Sequence, residues 1–272
     1  MGECMSSFSG PGEAGLLQPE LELSPVPATP VARPSAGPGD RMRFREHRDA
    51  SGIPLFLMNG QPTPALPSRD RNRQLVLKRA FDIITALAAL LALAPFFVLI
   101  AVAIKGTSRG PVFFRQAREG LNGAPFQVFK FRSMRVEDCD VSGVNQTVKG
   151  DPRVTAIGRF LRRTSIDELP QLINVLLGDM SIVGPRPHVA GMRAGGMLYG
   201  ELVPYYAMRL DMLPGITGWA QANGLRGTTQ DAELARARVD HDIAYIQNFS
   251  LALDLRIVWM TFWREFISGT GD

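Results

Sequence analysis

Arg162-Arg-Thr-Ser-Ile-Asp-Glu-Leu-Pro-Gln-Leu-Ile-Asn-Val-Leu-Leu-Gly-Asp-Met-Ser-Ile-Val-Gly-Pro-Arg-Pro187 is the stretch around which the other segments fall into place. It begins basic, passes through two adjacent carboxylates, Asp167 and Glu168, and turns apolar after Pro170. Proline is tolerated in the first turn of a helix, where its missing N–H would have no partner anyway, so the carboxylates sit at or near a helix start. Orphan backbone N–H groups there favour the ionised form of a carboxylate, and Arg159, Arg162 and Arg163 upstream add to the effect. An ionised Asp is a nucleophile candidate. The competing reading of Ser165-Ile-Asp-Glu168 is a capping box that only satisfies helix N–H groups. Gly178 ends the apolar run, and in Gly184-Pro-Arg-Pro187 two prolines hold Arg186 in a stiff segment. A phosphate brought near Asp167 would need such a cation.

Asp167-Glu-Leu-Pro-Gln171, followed by Asn174-Val-Leu-Leu-Gly-Asp-Met-Ser-Ile-Val-Gly-Pro-Arg-Pro187, resembles the signature of the bacterial sugar transferases, the monotopic polyprenol-phosphate phosphoglycosyl transferases. The likeness runs from about Lys78 to Phe262 and is greatest to the small exopolysaccharide-synthesis members. It implies transfer of a sugar 1-phosphate from a UDP-sugar to undecaprenyl phosphate with release of UMP. It also implies that Asp167 is the nucleophile, that Glu168 is the ligand of a Mg²⁺ ion, and that Lys130, Arg163 and Arg186 bind phosphate. Arg153 and Arg226 are further candidates for the donor. Galactose and glucose are the sugars the small members suggest. Expected partners are the UDP-sugar, undecaprenyl phosphate, the membrane and downstream glycosyltransferases, with a homo-oligomer left open. The expected place is the cytoplasmic face of a bacterial inner membrane.

The 272 residues suffice for a sizeable core, and their net charge of +4 suits an anionic partner of any kind. Nucleic acid is not expected, because no basic stripe interleaved with aromatics and no docking motif is present. Cys4 and Cys139 stand far apart, and His47, His188 and His241 are scattered, so neither a disulfide framework nor a zinc site is indicated. The expected class is α+β, mainly helical, in three parts. Residues 1–73, rich in Pro, Gly, Ala and Ser, read as a disordered tail with one apolar island, Gly52-Ile-Pro-Leu-Phe-Leu-Met58, that could dock.

Residues 74–110 form the membrane part. From Ile83 to Ile104 there are 22 residues without a charge, at about 1.5 Å each just enough to cross a bilayer. Pro95 interrupts the run, and Lys78 and Arg79 on one side are matched by Lys105 and Arg109 on the other. Equal basic flanks fit two ends on one side of the membrane. The resemblance likewise implies a re-entrant helix with its break at Pro95; a kinked spanning helix is the alternative. The family's usual Ser-Pro is here Ala94-Pro95, which removes a hydroxyl able to satisfy freed carbonyls. The Lys78-Arg79-x-Phe81-Asp82 start also fits the family, although Asp82 could simply anchor or cap the helix.

Residues 111–272 form the catalytic part. Pro111 to Gln116 and Pro125 to Arg132 read as two strands joined through Asn122-Gly123, a hairpin signal. Their Arg115, Arg118, Lys130 and Arg132 suit either phosphate or a solvated edge. Residues 136–154 read as a loop over the site. In Pro214-Gly-Ile-Thr-Gly-Trp-Ala-Gln-Ala-Asn-Gly-Leu-Arg-Gly227 the glycines would let amides approach a phosphate, and Trp219 would pack on an aromatic or meet the membrane. Two helices close the chain. The second, with Trp259, Phe262 and Trp263, is either interfacial or a packed core helix, while Asp240 and Asp242 read as surface carboxylates. A membrane scaffold without activity, or a nucleotide-sugar hydrolase, remains as the alternative function.

Overall fold

Five apolar residues inside the proline-rich leader already show how the chain organises itself. In the computed structural model, which describes residues 44–48, 53–58, 61–64, 69–135, 151–227 and 229–266, the island forms strand β2 (Pro54–Met58). It lies between β1 (Phe44–Arg48) and β3 (Gln61–Pro62) in an antiparallel sheet. Leu55 is buried in a cluster of side chains from the C-terminal part, and Gln247 accepts from Phe56 N and donates to Phe56 O and Thr63 O. The island therefore docks, and the expectation of a structureless leader fails for these strands. An apolar segment offered both buried surface and partners for its amides offsets its ordering entropy.

Helix α1 (Arg69–Thr107) is one long helix through Pro95. The proline removes one N–H donor without ending the helix, so the expected break does not take the form of a helix terminus. It is long and apolar enough to cross a membrane. One stripe packs on the rest of the protein: Ala86, Ala89, Leu90 and Leu93 against one cluster, then Phe97, Ile100 and Ile104 against another. These positions recur at three- and four-residue steps, the period of a single helix face. Ile84, Leu91, Val98, Leu99 and Val102 stay exposed on the other side.

Both ends of α1 are gripped by polar contacts. Lys78 donates to Asp254 at 2.6 Å, and Asp82 accepts from Ser181 Oγ and Ile182 N. Asp82 is thus a buried docking residue. Beyond the helix, Arg132 donates to the carbonyls of Ser108 and Arg109. That gives Arg132 a structural role.

The hairpin is as expected: β4 (Phe113–Glu119) pairs antiparallel with β5 (Pro125–Phe131), with Asn122 and Gly123 at positive φ in the turn. Helix α2 (Ala156–Arg163) follows, capped by Thr155, and Gly158 lets it lie directly on Ser133, whose carbonyl would be 1.9 Å from any added Cβ. A 3₁₀ turn (Ile166–Glu168) leads into α3 (Gln171–Leu177), which ends at Gly178 with φ 99°. Strand β6 (Ser181–Val183) runs parallel to β9 (Gly215–Thr217). Between them lie the short β7 (Arg193–Ala194), β8 (Met197–Leu198) and α4 (Tyr199–Leu202). After β9 come α5 (Trp219–Ala222), α6 (Ala232–Gln247) and α7 (Leu251–Phe266). Of α7, Asp254 and Ile257 face inward, while Leu255, Trp259, Phe262 and Trp263 are exposed. Residues 136–150 of the expected loop lie outside the described residues.

Candidate active site

The backbone delivers four separate segments to one spot. Asn174 in α3 accepts from Phe129 N and donates to Gln127 O, which locks β5 against α3 and carries Lys130 toward the carboxylates. Lys130 Nζ lies 2.7 Å from Glu168 Oε1. Arg186, from the segment after β6, closes on the same carboxylate, with Nη2 2.6 Å from Oε1 and Nη1 3.1 Å from Oε2. This is a fork-on-carboxylate geometry that would equally fit a phosphate.

Asp167 is only 8% exposed, and burial pushes its carboxyl up to about 6, against the pull of Lys130 and with a further push from Glu168. This corrects the expectation of a readily ionised group. The orphan amides of a helix start were to favour the charge, but the adjoining 3₁₀ turn buries the side chain, and desolvation wins. At neutral pH the ionised form still predominates, as a more basic and hence more nucleophilic carboxylate. Glu168 is the opposite case. Burial works against its charge, yet Arg186 and Lys130 hold its carboxyl well below the usual range. Two adjacent carboxyls are thus driven apart in acidity by their surroundings, the pattern expected where they have different tasks.

The capping-box reading fails, because Ser165 sits in the left-handed region with φ 54° and makes no side-chain cap. Of the two arginines ending α2, Arg162 acts electrostatically on Asp167, whereas Arg163 is exposed. Arg153 forks onto Asp151 at 2.6 to 3.1 Å, and the carbonyl of Arg226 accepts from Arg238. These contacts do not join the two residues to the Asp167–Glu168 pair. Arg118 of β4 stands close enough to Arg186 that burial, followed by that charge, lowers its guanidinium to about 10.

The glycine-rich stretch has a different role from the one expected. A Cβ at Gly215 would lie 2.1 Å from Gly184 N, and one at Gly184 would lie 2.3 Å from Leu213 O. Gly184 N donates to Thr217 O and Gly215 N to Pro185 O, so these amides are used in pairing the chain segments. Trp219 is buried in the core under the Arg256 guanidinium, not at a surface. Asp242, read as a surface carboxylate, is buried against Arg209 at 2.8 Å. Its signal was present: Ala235, Val239, Asp242 and Ile246 lie on one buried helical face.

A hard cation such as Mg²⁺ takes one or two carboxylates and completes its shell from phosphates and water. Asp167 and Glu168 supply such oxygens, and among the described residues no group of three or more acidic, His or Cys side chains could hold a metal on its own. The donor set therefore fits an ion that arrives with a phosphorylated ligand.

The raised Asp167 carboxyl and its charge-clamped partner Glu168 lie on a domain that also carries the exposed apolar face of α1. Residues 73–268 match the family described as bacterial sugar transferase, and the chain belongs to it. It is 59% identical over 197 residues to the exopolysaccharide production protein PSS of Rhizobium leguminosarum bv. phaseoli, covering 72% of this chain and 98% of that one. Two enzymes named UDP-glucose:undecaprenyl-phosphate glucose-1-phosphate transferase are also similar. The one from Caulobacter vibrioides is 51% identical over 76% of this chain and 74% of its own length. That from Escherichia coli K12 is 49% identical over 78% of this chain but 45% of its own length, so the chain spans less than half of that relative.

Proposed function

We propose that the protein moves a hexose 1-phosphate from a UDP-sugar to undecaprenyl phosphate, releasing UMP, as the first membrane step of exopolysaccharide synthesis. The observation that carries this reading is the Asp167–Glu168 pair under Lys130 and Arg186. Glucose is favoured over galactose by the names of the relatives.

In this reading an Asp167 carboxylate oxygen attacks the β-phosphorus. The bond from that phosphorus to the bridging oxygen breaks, and UMP leaves with the oxygen and its electron pair. The acyl phosphate so formed is attacked at the same phosphorus by a phosphate oxygen of undecaprenyl phosphate, which returns Asp167 as a carboxylate. The sugar's anomeric bond stays intact throughout. Arg186 and Lys130 turn from Glu168 to the incoming diphosphate, so neither cation is left unpaired as the donor binds. Glu168, with Asp167 beside it, would hold Mg²⁺, which when bound neutralises phosphate charge.

Topology supports a membrane-embedded site. The same domain grips α1 near Asp82 and the chain just past it at Ser108 and Arg109, which supports a reading with both ends on one side of the membrane. A re-entrant α1, dipping into one leaflet with Pro95 at its deepest part, reconciles those grips with the exposed apolar face. The exposed Trp259, Phe262 and Trp263 of α7 would lie at the lipid surface. The site then stands on the cytoplasmic face, at the depth of the lipid phosphate.

The test is UMP release by membrane-inserted protein with Mg²⁺ and a panel of UDP-sugars, with and without undecaprenyl phosphate. Acceptor-dependent release that is abolished in Asp167→Asn is the expected result, with UDP-glucose the best donor. Sustained release without acceptor would identify a hydrolase instead.

A further inference from the structure

The segment that presents Arg186 is held in an unusual way. Its four consecutive carbonyls accept from two other regions of the chain, residues 209–215 and the end of β4. Pro185 O accepts from Gly215 N at 2.9 Å, Arg186 O from Arg209 Nη2 at 2.6 Å, Pro187 O from Arg118 Nη1 at 3.4 Å, and His188 O from Glu119 N at 2.8 Å. The prolines at 185 and 187 have fixed φ and no N–H, so the segment cannot tie itself into a turn with its own amides. External donors must set its path. The shortest of these bonds comes from Arg209, which is 2% exposed and lies in the core with Asp242.

A buried ion pair is a poor means of stabilising a fold. Desolvation of both charges offsets much of their attraction, and apolar replacements of similar volume are often as stable or more so. Stability alone therefore does not account for Arg209 and Asp242. Asp242 Oδ2 accepts from both Nε and Nη2 of Arg209, at 3.1 and 2.8 Å, which fixes the plane of the guanidinium. Nη2 then reaches Arg186 O, and Nη1 reaches the Tyr206 hydroxyl at 3.4 Å. The Arg186 side chain itself is 44% exposed and able to swing, whereas its backbone is pinned.

We propose that the buried Arg209–Asp242 pair is a positioning element for Arg186: it fixes the backbone from which that guanidinium transfers from Glu168 to the diphosphate of the donor. The inference rests on the transferase reading for its catalytic consequence, but its structural content is independent of it. Lysine at 209 would keep the charge while losing the planar fork that serves Asp242 and Arg186 O together.

The experiment compares Arg209→Lys and the apolar double variant Arg209→Met/Asp242→Leu with the parent, in the membrane-inserted full chain. Two readouts are taken. Hydrogen exchange at the Gly215 and Glu119 amides, which donate to Pro185 O and His188 O, reports directly how firmly the segment is held. It should rise at least tenfold in both variants while the amides of α3 are unchanged, and unaltered exchange would overturn the proposal whatever the enzyme does. The second readout is kcat/KM for UDP-glucose, taken alone and in an Arg186→Ala background. Each variant should lose ten- to a hundredfold, mostly through KM, and less than twofold once Arg186 is absent. Equal losses in both backgrounds would mean that the pair acts on the fold rather than through Arg186. The apolar double variant guards against misfolding, since it leaves neither charge buried alone and should still melt cooperatively. If the parent releases no UMP with any donor, the transferase reading fails while the exchange result still decides the positioning claim.

Discussion

Asp167 illustrates how one side chain can trade stability for reactivity. Its carboxyl is raised from an ordinary 3.8 to about 6, so the folded protein binds that proton more tightly than the unfolded chain does. The sign follows directly: the stability this group contributes is full at low pH, falls as pH rises from about 4 to 6, and stays lost above. Asp167→Asn removes the buried charge. It should raise stability by up to about 3 kcal/mol at pH 8, from about two pKa units, and change it little near pH 3.5. Thermal melts at the two pH values check this. In the proposed mechanism only the ionised Asp167 attacks, so kcat/KM should fall as pH drops through about 6, to about one tenth at pH 5. A profile flat between pH 5 and 8 would mean that the Asp167 carboxyl is not raised in the working enzyme. Next to it, Glu168 keeps its charge throughout because Arg186 and Lys130 clamp it. The sequence placed both carboxylates at the centre, but it could not reveal which one the fold would desolvate.

Among the elements, β6 and β9 set the tolerance of the site. Their parallel pairing brings Gly184 and Gly215 into backbone contact, and this junction carries the Pro185–Pro187 segment. A methyl group at Gly215 would meet Gly184 N, which no rotamer change can relieve. Gly215→Ala should therefore destabilise by about 3 kcal/mol and displace Arg186. Denaturant unfolding measures the first effect, and a rise in KM for the UDP-sugar the second. Gly178→Ala, at a surface helix end with φ 99°, strains only local backbone and should cost about 1 kcal/mol. The glycines were legible as positions of close approach. Whether a phosphate or another strand approaches them is decided by partners far away in sequence.

For the whole molecule, the deciding question is where the ends of α1 lie. Lys78 and Asp82 bind the domain near one end, and Arg132 holds the chain just past the other. With native cysteines replaced, single cysteines at Asp70 and Arg109 should both react with a membrane-impermeant maleimide added from the cytoplasmic side, and neither from the opposite side. Labelling from opposite sides would establish a spanning helix. The grips themselves are strong, since Lys78→Met would leave Asp82 and Asp254 buried without their cation, a change of the kind that costs about 3–5 kcal/mol.

By itself the sequence determined what local chemistry determines. The uncharged run marked α1, Asn122-Gly123 marked the hairpin, Gly178 ended α3, and the Asp-Glu and Pro-Arg-Pro spacing marked the family and its candidate site. These features are set within a few residues by backbone geometry and hydrophobic pattern, so they can be read without knowing what packs on them. Only the tertiary structure decided that Asp167 is desolvated, that Asp242 is buried on Arg209, that Trp219 belongs to the core and that the Leu55 strand docks on α6. Each of these depends on a partner dozens of residues away or more, and burial, unlike propensity, exists only once both partners are in place.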